Sequence, residues 1–174
     1  MKTEHRVAAH TKRQYTGQLP KFWQPKLEAA QCLDAKIIHW DLISRFTSGT
    51  ADTDDLWDWI ETGYTYSQIM RLQIEDGTEF TPEAIAAMSD QLDIYTSVIA
   101  RYRATGRVAF NGTELCIARA AAYVMDGLID IDRHGIAVKA AQWSTAQMDR
   151  IRALGGKAMQ PSKFIHQPSI TTGS

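Results

Sequence analysis

Asp126, Asp130 and His134 recur at intervals of four residues. On an α-helix that spacing sets two carboxylates and an imidazole along one face. Both groups ligate divalent cations. A di-metal site in a helical bundle also needs glutamates and a Glu-x-x-His pair on facing helices, and no Glu-x-x-His occurs in this chain. Asp132 and Arg133 continue the polar run, so the segment reads first as a solvated helix end with local ion pairs, His134 being favoured there by the helix dipole. His39 and Asp41 flank Trp40, but helical residues two apart do not face each other and make no acid–base pair. Cys32 and Cys116 both fall in helical patterns, where a thiol behaves as a small buried hydrophobe. Two cysteines give neither a disulfide framework nor a zinc spacing. The chain lacks a Gly-x-Ser-x-Gly elbow, a phosphate-binding loop and a dinucleotide fingerprint. No catalytic residue and no cofactor is therefore assigned.

Surface charge is the other source of chemistry. The net charge of −1 excludes bulk attraction of the whole molecule to nucleic acid or to an anionic membrane. Locally the charge is uneven. Lys2, Arg6, Lys12, Arg13, Lys21 and Lys26 face only Glu4. Asp52, Asp54, Asp55, Asp58 and Glu61 follow as an acidic run, and Arg101, Arg103 and Arg107 form a later basic cluster. Trp57 and Trp59 stand two apart, so both cannot face one core, and Trp57 is the one expected beside the acidic run at the surface. Exposed aromatics are enriched at the centres of protein interfaces.

These residues must be held by helices. The chain has 174 residues, 44% hydrophobic and 22% charged, which fits one globular domain with tails. Residues 1–20 lack apolar periodicity and read as a flexible basic arm, 21–155 as the helical domain, and 156–174 as a disordered tail. A first helix is expected from Phe22–Lys26 to Gly49, with Leu27, Ala30, Leu33, Ile37 and Trp40 as its apolar stripe and Ile38, Leu42 and Phe46 beside it. Asp52 or Thr53 caps a second helix that ends at Gly77, and its Gly63 and Ser67 leave room for another helix to approach. The third has the clearest signal: Thr81 as cap, Pro82 at the first position, a stripe of Ile85, Met88, Leu92, Tyr95, Ile99 and Tyr102, and Gly106 as stop. Residues 107–112 read as an extended connector. A fourth helix is expected from Thr113 or Glu114 to His134. A further helical stretch runs to Leu154, and its capping-box pattern Ser144-Thr145-Ala146-Gln147 predicts a division into two short helices.

Two resemblances bear on function. Gly63 to Leu72 resembles the first half of a helix-turn-helix unit, but the following Gln73 to Glu79 is acidic and would repel phosphates, so one continuous helix is expected instead. More widely, Asp76-Gly77, the run Arg101 to Arg107, and Asn111-Gly112-Thr113-Glu114-Leu115 resemble small helical proteins carried by bacterial plasmids, integrative elements and prophages. That resemblance spans about Lys26 to Ile151. It implies a mobile-element accessory role and no catalysis.

The expected architecture is an all-α, single-domain bundle of four main helices with one or two short ones. The expected function is binding of a protein partner, together with another copy of the chain, through Asp54, Asp55, Trp57, Asp58, Glu61, Arg101, Arg103 and Arg107. The acidic run would mimic nucleic-acid phosphate toward a basic partner. One alternative is a nucleic-acid-binding regulator using Lys12, Arg13, Arg101 and Arg103. The other is a metal-dependent enzyme using Asp126, Asp130 and His134. No stretch approaches the ~20 apolar residues of a membrane span. The basic start lacks the apolar middle of a secretion signal. A cytoplasmic protein without membrane contact is therefore expected.

Overall fold

A computed structural model describes residues 29–132 and 135–153. The expected arm 1–20, the start of the first helix and the tail 156–174 lie outside the described residues, as do His134, Lys12 and Arg13. Five α-helices follow in order: α1 (Ala29–Ser48), α2 (Thr53–Glu75), α3 (Pro82–Thr105), α4 (Gly112–Asp130) and α5 (Ile136–Ala153). The described residues contain no strand, and the architecture is all-α. None of these helices is long and apolar enough to cross a membrane.

The helix ends follow from local chemistry. Asp52 caps α2 by accepting from the backbone of Asp54 and Asp55, and Asp55 returns a bond to the Asp52 N–H. Thr81 caps α3, and Gly106 ends it at φ 70°, a conformation that glycine reaches without steric cost. Asn111 caps α4 and Glu114 completes the box, so α4 begins at Gly112. It ends at Asp130 rather than His134. Asp132 then accepts from the N–H groups of Ile136 and Ala137 and so starts α5. The predicted division of α5 does not occur. The Ser144 hydroxyl bonds back to the Ala141 carbonyl and receives the Thr65 hydroxyl from α2, so the cap residue is consumed inside a continuous helix.

α2 is the central element and touches all four others. Gly63 explains one of these contacts. A Cβ there would meet the Tyr95 hydroxyl at 1.5 Å. Without it, that hydroxyl reaches the backbone of α2 and donates to the Trp59 carbonyl while accepting from Gln91. Around this crossing, Phe46, Trp59, Tyr95 and Phe110 pack ring on ring, with centroids 4.4–5.3 Å apart. A second apolar cluster, including Ile69, Met70, Met125 and Ala137, lies toward the C-terminal half of α2. The connector 107–111 is irregular, as expected, and buries Val108.

Candidate functional site

α1 runs antiparallel to α4, which brings their polar side chains together in register. His39 Nε2 lies 3.1 Å from Asp126 Oδ1, and the Trp40 indole N–H donates to Asp126 Oδ2 at 3.1 Å. One turn away, Lys36 Nζ meets Asp130 at 2.6 Å. His39 is buried, with Tyr66 edge-on at 5.5 Å, and the Tyr66 hydroxyl donates to the Ala35 carbonyl. Burial pushes the His39 pKa below its ordinary value, against the pull of Asp126. Burial thus disfavours the protonated imidazole, and its bonded nitrogen is occupied by Asp126. This is a helix-to-helix fastening with the acid–base group turned inward.

That geometry fixes where the sequence-predicted metal candidates go. Asp126 and Asp130 both face α1 and are engaged by different residues of it. Among the described residues, no three His, Cys, Asp or Glu side chains gather as ligands would. Asp41, the other half of the flanking pair around Trp40, bonds to Arg45 and not to His39.

The predicted contact residues separate into two groups. Asp55 is buried, bonded to Arg45 Nη1 at 2.7 Å and engaged in the α2 cap. Trp57 is half-buried against the aromatic cluster. Arg101 forms two bonds to Glu114 and a third to the Ala109 carbonyl, tying α3 to the connector and to α4. Burial alone would raise the Glu114 carboxyl, yet Arg101, the Asn111 N–H and the Ser97 hydroxyl hold it down at about 2. Asp55, Trp57 and Arg101 thus serve the fold. Asp54, Asp58, Arg103 and Arg107 are exposed, and Glu61 is partly so. Asp54, Asp58 and Glu61 recur at helical spacing and form an acidic ladder on one face of α2.

The ladder leads into a groove that the sequence reading missed. It has a volume of about 410 Å³, lies between α1, α2 and α5 with the end of α4, and is lined by Ala35, Tyr66, Ile69, Ile129 and Val138 among others. Glu61 and Thr65 stand at its edge, and Thr145 of α5 donates to Glu61. Ile38 lines it and remains 52% exposed. The only sequence signal for this groove was an apolar α1 with more hydrophobic width than one core face needs.

On the far flank of α1, Leu33 and Ile37 are 59% and 54% exposed, and Tyr123 of α4 is 71% exposed against the edge of Trp40. Of the residues read from sequence as the core stripe of the first helix, Ala30, Leu33 and Ile37 are therefore at the surface, Trp40 is half-buried against Ile43 and α4, and Leu27 lies outside the described residues. The face that packs carries His39, Leu42, Ile43 and Phe46 instead. No family model, curated protein or solved structure matches this chain.

Proposed function

We propose that this is a non-catalytic, cytoplasmic protein-binding accessory protein whose groove between α1, α2 and α5 receives a partner segment. The observation that carries this reading is that Glu61 lines the apolar groove while Asp58 and Asp54 follow it at helical spacing on the same face of α2. The matching partner presents apolar side chains to the groove and basic residues to the ladder. Burial of the apolar anchors supplies affinity, and the carboxylates steer the encounter and fix its direction. The resemblance to helical proteins of mobile elements fits a target in a host or element-encoded complex, with the carboxylates meeting a basic surface as phosphates would.

The test compares three baits in extract of the native host: wild type, Val138→Asp in the groove, and Asp54→Lys with Asp58→Lys on the ladder. Captured protein is purified and its binding measured directly. The groove variant is expected to weaken binding by at least about tenfold. Charge reversal is expected to slow association and to reduce its dependence on salt. A captured protein that binds all three baits equally overturns the assignment of this surface.

A further inference from the structure

We propose that the other flank of α1 is the seam of a two-fold dimer, in which α1 packs antiparallel against α1 of a second copy. Leu33, Ile37 and Trp40 follow the three-to-four spacing of one helix face, and Ser44 extends it by a turn. Nothing within the described chain covers Leu33 and Ile37. Leu33, Ile37 and Tyr123 are each more than half exposed, and with half-buried Trp40 they form the apolar centre of a patch that a standard interface of ~800 Å² per partner would cover.

The border of the stripe favours a copy of the same surface. A two-fold contact sets a patch against itself, so a border of one sign would repel. Here the neighbouring charges are already paired with opposite ones: Lys36 with Asp130, and Arg45 with Asp41 and Asp55. Asp34 and Arg119 add one charge of each sign. The shape also fits. A hollow of about 340 Å³ lies beside Trp40 and Ser44, between α1 and Arg119 of α4. In an antiparallel pair, the register that sets Ile37 against the second copy's Trp40 also sets Leu33 against its Ser44, so Leu33 enters that hollow. The groove of the proposed partner site lies on the opposite flank and stays open.

Sedimentation of the full chain tests this. Wild type is expected as a dimer at micromolar concentration, and Ile37→Glu as a monomer with unchanged helical circular dichroism. Register is read by cysteine trapping in a Cys32→Ala, Cys116→Ser background. Leu33→Cys combined with Ser44→Cys is expected to form an interchain disulfide, and Leu33→Cys combined with Ser48→Cys is not. The two positions lie too far apart on one helix to bridge within a chain. A monomeric wild type overturns the proposal, as does a dimer indifferent to Ile37→Glu. A monomer whose thermal midpoint falls on Ile37→Glu also overturns it, because the stripe is then covered by residues 1–28 of the same chain.

Discussion

Along α1, the turns after His39 and the turns before it meet opposite surroundings. From His39 to Phe46 the helix buries one face against α2 and α4, with Phe46 stacked on Phe110 and tilted against Trp59. From Leu33 to Ile38 it carries equally apolar side chains, yet Leu33, Ile37 and Ile38 all stay more than half exposed. The exposed half is no less apolar than the packed one. They differ in whether a neighbouring helix arrives. α4 stops at Asp130 and α2 meets this half through Tyr66 beside the groove, so the first half has flanks that the described helices leave open. Apolar content in a helix therefore states that something must cover it, not what does.

Substitutions that separate the halves sharpen this contrast. Phe46→Ala is expected to have the largest effect, a loss of about 3–5 kcal/mol in chemical denaturation, because it empties the centre of the aromatic cluster. Acid comes next. Glu114 has its pKa held at about 2 in the fold against an ordinary 4.5. Its stabilisation, roughly 2–3 kcal/mol, is present above pH 4.5 and is lost as pH falls from there through 2. His39, at the border of the two halves, is lowered from 6.5 by burial, so its contribution is present above pH 6.5 and fades below it. Thermal midpoints measured across pH 7 to 3 are expected to fall in two stages, and Glu114→Gln is expected to remove the lower one. Leu33→Ser is expected to have the smallest effect, within about 0.5 kcal/mol for the single chain. A Leu33→Ser loss comparable to that of Phe46→Ala would erase the distinction between the halves.

The sequence reveals much of this fold because its punctuation is local. Asp52, Thr81, Pro82 and Gly106 act through bonds or torsions within a few residues, and all of them serve where the spacing places them. Gly63 is also legible, since a small residue in a helix face invites close approach. Asn111 and Glu114 form a capping box whose three-residue interval is present in the sequence, although a start at Thr113 or Glu114 is one or two residues late. The packed face of α1 is not legible in the sequence. Its packed side reads Cys32, Ala35, His39, Leu42, Ile43 and Phe46, and the histidine makes it look less like a core than the stripe opposite. Asp126, 87 residues away, satisfies that histidine, and no local pattern encodes such a partner. Arg101 was read as surface charge for the same reason, its carboxylate arriving from the next helix.

The Tyr95 hydroxyl seated over Gly63 has a mechanical consequence. Where two helices meet through aliphatic side chains, rotamer changes let them slide and re-space. Here the meeting point is a hydroxyl against bare peptide, with no rotamer on the α2 side to adjust. The crossing of α2 and α3 therefore acts as a fixed fulcrum, and any rearrangement of the bundle must turn about it or abandon it altogether.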